Sequence, residues 1–194
     1  MSKKHNVFIS FHHEDQHYKN RFEELFSEIY GILESKAVMD NDIDENMSTD
    51  AIRGKIRDSF IRSATVTVVL IGQDTWKRKH VDWEISASIR KTKNNSRTGL
   101  IGILLPTHSD SLSEPLNSAM EKETFEYEKC TIPPRLADNI DCGFAKLYDW
   151  NEDPEIVQEW IHEAYKRRDE KKLNPNNSRA SFSRNRKENQ THWE

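Results

Sequence analysis

One carboxylate in this sequence stands apart from its neighbours. In GQDTWKRKHVDWEISASI, residues 72–89, Glu84 has His80 and Ser88 four positions away and Val81 and Ala87 three positions away. Side chains three and four apart are neighbours on a helix, so no Lys or Arg is at hand to pair with it there. Asp82, by contrast, has Arg78 four residues before it and reads as half of an ordinary surface pair. Trp83 precedes Glu84, and Trp76 and His80 share its flank, which would set the acid beside aromatic and imidazole surface. A capping or surface glutamate is the plainer alternative. A second cluster, His12, His13 and His17 with Glu14 and Asp15, invites metal chemistry. His13 and His17 would pair across one helical turn, but no third ligand stands at matching spacing, so no metal is assigned and these histidines read as loop or surface residues.

Positioning such an acid needs elements around it, and strand-like and helix-like periods alternate along the chain. Residues 7–11 are a short β-rich run, after which Tyr18, Phe22, Leu25, Phe26, Ile29 and Leu33 form one apolar helix stripe. A second strand is expected over residues 36–39, then an acidic loop over 40–50. Behind it a helix carries Ile52, Ile56 and Phe60, with Ser48 as its cap. Residues 65–71 are β-branched and apolar almost without a break, as in a strand covered on both faces. Gly72 closes that strand, and helical period runs over 75–92 through Val81, Ile85 and Ile89. Residues 100–105 form another buried strand, stopped by Pro106. From 106 to 139 the periodicity fails and no helix is assigned. A last strand spans 144–150, and Asp153-Pro154 opens a helix with Val157, Trp160, Ile161 and Ala164 on one face.

Five β-α repeats imply an α/β, flavodoxin-like three-layer fold with a central five-stranded parallel sheet in the strand order 2-1-3-4-5. Ligands in that architecture sit beyond the carboxyl ends of the strands, which points to residues 10–15, 40–47, 72–84 and 106 onward. No GxGxxG follows the first strand and no GxxxxGK[ST] occurs, which argues against a dinucleotide-binding Rossmann domain or a P-loop NTPase. A response-regulator receiver shares the expected fold. Its acid pair, phosphoacceptor and lysine would fall to Glu14 with Asp15, Asp74 and Lys146, each displaced from the strand end where that chemistry is done.

With 194 residues the chain fits one domain and a tail, and 35% hydrophobic residues make a lean core. A net charge of −4 supplies no global field toward nucleic acid or anionic membranes. Residues 171–194 carry six Lys and Arg against two Glu, so this end is +4 and the first 170 residues −8. Asn, Ser and Arg dominate residues 174–190 and Phe182 is the only large apolar residue there. A domain over 1–170 followed by a disordered basic tail over 171–194 is therefore expected. No apolar stretch nears the roughly 20 residues of a membrane helix. The start lacks a secretory core, and Cys130 and Cys142 read as reduced thiols, so a soluble cytoplasmic protein is expected.

Three segments, VFISFHHED (7–15), TVTVVLIGQDTWKRKHVDWEI (65–85) and LIGILLP (100–106), resemble the TIR-like family of bacterial antiphage defence, most closely the TIR-like subunit of Thoeris systems. Phe8, Ser10 and Phe11 are similar to the pattern ending the first TIR strand. Trp76 followed by Glu84 is similar to a Trp that precedes a catalytic glutamate on the third helix. The resemblance covers residues 7–106, is weaker from 107 onward and leaves out the tail. It implies a TIR-like fold and an enzyme that breaks the nicotinamide N-glycosidic bond of NAD. The ADP-ribose is often cyclised into a signal that activates a separate effector. NAD is then substrate, and no other cofactor is implied.

A single carboxylate suits that chemistry, because nicotinamide departs neutral and needs no general acid, unlike an ordinary glycoside with its two carboxyl groups. The resemblance implies Glu84 as the catalytic group, accepting from ribose hydroxyls and opposing oxocarbenium charge. Phe8, Ser10, Phe11, His12, Trp76, Arg78, His80 and Trp83 are the implied substrate-binding residues. Among them Phe11 and Trp76 are candidates to stack on a base or to pack the core, Ser10 and His12 to meet ribose or amide, and Arg78 to hold the diphosphate. The alternative is a non-enzymatic TIR adapter acting by homotypic assembly. Partner expectations are NAD, the downstream effector through a diffusible nucleotide and self-association, with no membrane and no nucleic acid.

Overall fold

The computed structural model describes residues 4–27, 31–32, 47–92, 96–111 and 127–193. Four parallel strands, β1 (Asn6–Ser10), β3 (Val66–Ile71), β4 (Gly99–Leu104) and β5 (Ala145–Asp149), lie side by side in chain order. Val7 pairs with Val66, Val66 with Gly99 and Leu100 with Ala145. Outside β1, the two residues Gly31–Ile32 (β2) are hydrogen-bonded in parallel to Asn6 and Val7. The strand expected over 36–39 lies outside the described residues, as does most of the acidic loop.

Every residue of β3 and β4 is buried, as strands covered on both faces must be. On one face α1 (Gln16–Phe26) and α5 (Pro154–Arg167) enclose a cluster that includes Val7, Ile9, Phe11, Phe22, Phe26, Trp150 and Trp160. On the other, α2 (Thr49–Ile56), α3 (Lys79–Ser88) and α4 (Pro134–Asp141) pack through two clusters. One holds Phe8, Ile52, Ile56, Trp83 and Ala87, the other Val69, Val81, Ile85, Leu136 and Leu147. The expected caps are formed: the Ser48 hydroxyl accepts from the Ala51 N–H, and Asp153 accepts from the Glu155 and Ile156 N–H groups ahead of Pro154. Among the described residues no helix is long and apolar enough to cross a membrane.

Several expectations are corrected. α1 ends at Phe26 and Gly31 is already extended, so the apolar stripe does not run as one helix to Leu33. The period over 75–92 resolves into a tight turn at Thr75–Lys77 followed by α3. α4 stands where no helix was assigned. It opens on Pro133-Pro134 and buries Leu136, Ala137 and Ile140 within two turns, too short a repeat to read as a period. Gly143, at φ 76°, turns the chain from α4 toward β5.

The tail is corrected too. Residues 171–193 adopt no helix or strand, yet they lie along α3 and α4. Asn176 exchanges hydrogen bonds with Asn139, and Arg179 forms a two-pronged pair with Asp138 at 2.7 and 2.8 Å. The Trp193 indole N–H donates to the Ile132 carbonyl at 2.9 Å. Polar side chains and backbone hold this segment together with Leu173 and Trp193, which pack against the core, and the scarcity of apolar residues between those two made it look unfolded.

Candidate functional site

Successive side chains of a strand point to opposite faces. On β1 this sends Val7 and Ile9 into the α1–α5 core, while Phe8 and Ser10 face α3. The Ser10 hydroxyl donates to Glu84 Oε2 at 2.5 Å, the range of a hydroxyl on a carboxylate. Ser10 is 0% exposed and Glu84 1%. The acid with no Lys or Arg three or four residues away thus meets a partner on the sheet.

α3 is buried nearly all round, so its polar side chains must find partners within the protein, most of them on other elements. Asp82 accepts from Arg135 Nε at 2.8 Å and from the Phe182 N–H at 3.0 Å, and Arg135 is 0% exposed. The surface pair of Asp82 with Arg78 read from the sequence is therefore not formed. Ser86 bonds Asn177, and the Ser88 hydroxyl donates to the Ile85 carbonyl. Arg57, on the π-helical turn that continues α2, donates to the Ser88 carbonyl at 3.0 Å and so caps the C-terminal end of α3. At the other end the Lys79 N–H donates to Asn185 Oδ1 of the tail at 2.8 Å.

His12 follows β1 and is buried, with both ring nitrogens lacking a hydrogen-bond partner. Burial above all pushes its pKa down to about 3, helped by the charges of Arg78, His13 and His80 and opposed by Asp74. The ring is neutral at pH 7, with one nitrogen able to donate and one to accept. Arg78 meets the Glu188 carboxylate at 2.9 and 3.4 Å. Lys77 Nζ meets the Glu188 carbonyl at 2.7 Å and Asp74 at 2.6 Å. Trp76 is buried, with Lys77 Nζ 5.5 Å and the Arg186 guanidinium 5.8 Å from its ring.

The structure thus gathers Ser10, His12, Arg78, His80 and Glu84 toward the carboxyl ends of β1 and β3. Phe8 and Trp83 pack with α2 beside them, and the Trp83 indole donates to the Phe182 carbonyl. Phe11 is in the opposite core, away from Glu84. Asp15, within the region 10–15 singled out from the sequence, joins the rim as a buried acid: Thr107 donates to it at 2.9 Å, and a Cβ on Gly72 would fall 2.1 Å from its carboxylate oxygen. Burial pushes its pKa up, against the Thr107 hydrogen bond. Asp74 lies three residues past β3, bound to Lys77, and Lys146 falls within β5. For a metal, the ligand atoms of His12, His13 and Glu14 come within 4.8 Å of one another, on three successive residues. A cavity of about 630 Å³ opens in the tail, lined among others by Phe182, Arg184, Asn185, Arg186 and Lys187. A second of about 200 Å³ lies against Ile52, Arg53 and Trp83.

The residues sequence reasoning missed are the tail's Asn185 and Glu188 and the Asp82–Arg135 pair, all joined across long stretches of chain. Comparison with known proteins sets this site in a family. The model described as Thoeris protein ThsB, TIR-like domain, matches residues 8–110, just over half of the chain and the stretch that runs from Phe8 through Ser10 and Glu84 past β4. No curated protein matches the chain. The chain belongs to the family of the TIR-like domain of the Thoeris protein ThsB.

Proposed function

We propose that this chain is a cytoplasmic NAD-consuming enzyme of antiphage defence, which cleaves the nicotinamide N-glycosidic bond and releases ADP-ribose, linear or cyclised into a signal for a separate effector. The observation that carries the reading is the buried Ser10–Glu84 hydrogen bond at the carboxyl end of β1 in a member of this family. Serine holds the carboxylate in place, and the carboxylate is the group that accepts from ribose hydroxyls once NAD is bound. As the C1′–N bond breaks, its electron pair passes to the pyridinium nitrogen and nicotinamide leaves neutral. The positive charge that appears on the ribose faces Glu84 in a site shielded from water, where a fixed carboxylate stabilises it most. Water or a hydroxyl of the same nucleotide then attacks C1′ and loses its proton.

Neutral His12 has donor and acceptor capacity for a ribose hydroxyl or the carboxamide. Arg78 is suited to the diphosphate. The test is nicotinamide release in lysates of phage-infected cells, which contain whatever trigger activity requires. Glu84→Gln keeps the size of the side chain and should lower release by about 1,000-fold. Release unchanged in this variant would refute the reading, and oligomers without NAD loss in the infected wild type would establish the adapter alternative.

A further inference from the structure

Glu84 is 1% exposed, so no dinucleotide meets it until something that covers the site moves. The tail lies against the start of the helix that carries Glu84. Three kinds of donor that bind phosphate stand together at the start of α3: the Lys79 backbone N–H, the Lys77 ammonium and the Arg78 guanidinium. All three are directed to tail acceptors, respectively Asn185 Oδ1 at 2.8 Å, the Glu188 carbonyl at 2.7 Å and the Glu188 carboxylate at 2.9 Å. The Arg186 N–H donates in addition to the Lys77 carbonyl at 2.8 Å. His12, buried and without a hydrogen-bond partner, is close enough to Arg78 for that charge to act on its ring. Glu84 follows Arg78 by six residues, about 9 Å along the helix axis, so a ribosyl diphosphate could span from one to the other.

We propose that residues 185–188 are an internal substitute for the substrate's diphosphate, holding the enzyme closed until they are displaced. This rests on the NAD reading above. The way the tail is fastened lets one part lift while the rest stays. Residues 176–182 are tied down through buried Asp82 and Arg135, and Trp193 is held by the Cys130 and Ile132 carbonyls. Between these anchors Ser183 and Arg184 are exposed, and the Glu188 side chain is 68% exposed. The Arg78 side chain of the Arg78–Glu188 pair is 11% exposed, so the exchange point is the open Glu188 carboxylate, which can swing into water while Arg78 stays in place for another anion.

The experiment measures NAD binding by calorimetry to full-length Glu84→Gln protein, with and without Glu188→Gln, and hydrogen exchange at the Arg186 amide. Removing the internal competitor should tighten NAD binding by about 3- to 10-fold, and NAD should speed exchange at Arg186. If NAD binds equally well with and without Glu188 and Arg186 stays protected, the closed-tail proposal is overturned while the NAD reading stands. If Glu188→Gln weakens binding, Glu188 serves the substrate and the proposal is overturned. If neither protein binds NAD, the NAD reading fails and takes the proposal with it.

Discussion

The two sides of β1 are made of different material. Toward α1 and α5, Val7, Ile9 and Phe11 join a cluster of apolar and aromatic side chains, where the Tyr148 and Trp160 rings stack 4.1 Å apart. Toward α3, Phe8 is followed by Ser10, and the helix opposite buries Asp82, Glu84, Ser86 and Ser88. The first side is a scaffold whose burial drives folding. The second gives up apolar contact to hold polar groups in fixed places, and each must be satisfied by a partner inside the protein. Function is expected where the molecule accepts that cost, and the family match from residue 8 to 110 falls over both sides of the same strand.

The contrast can be broken at its most buried charge. Arg135→Met leaves the Asp82 carboxylate buried against the Phe182 N–H, and should lower unfolding free energy by about 3–5 kcal/mol in a urea titration. A loss below about 1 kcal/mol would mean that the Asp82–Arg135 pair does not organise this side.

Adjacent residues of the strand sharpen it next. Ser10→Ala removes the hydroxyl on Glu84 and should slow nicotinamide release about 10- to 100-fold, the worth of a hydrogen bond to a charged group. Phe11→Leu should cost about 1 kcal/mol of stability and leave KM for NAD unchanged. A raised KM in Phe11→Leu would move the substrate to the other side of β1.

A further effect is one of pH. His12 titrates at about 3 when folded against 6.5 ordinarily, so the unfolded chain binds its proton more tightly. Its contribution to stability is full above about pH 6.5 and is lost as the pH falls toward 3, by up to about 1.4 kcal/mol per pH unit. Asp15, raised by burial, contributes in the opposite sense, with stability present at low pH and lost as the pH rises through its folded value. Wild type should therefore be compared with His12→Gln at pH 7 and at pH 5. The variant should keep more of its pH 7 stability at pH 5, and equal losses would show that His12 titrates like an exposed histidine.

How legible each part was follows from how it is held. β3 and β4 could be read because strands buried on both faces leave unbroken apolar runs. Glu84 could be singled out because a helix exposes its i±4 neighbours to inspection, but its partner Ser10 lies 74 residues away and no local spacing reveals it. The same logic misled at Asp82 and Arg78, whose partners, Arg135 and Glu188, come from distant segments. Phe11 had a signal that went unused: residues 10 and 11 are adjacent in an extended run, so Ser10 and Phe11 could not both face α3. The tail was opaque for a deeper reason. Between Leu173 and Trp193, which pack on the core, its order comes from main-chain and polar side-chain hydrogen bonds to α3 and α4, and those leave no hydrophobic pattern.

The most direct test of the central claim is mass spectrometry of nucleotides from infected cells expressing wild type or Glu84→Gln. The account predicts NAD loss and an ADP-ribose product with wild type and neither with the variant. NAD loss and the same product in Glu84→Gln cells would contradict it.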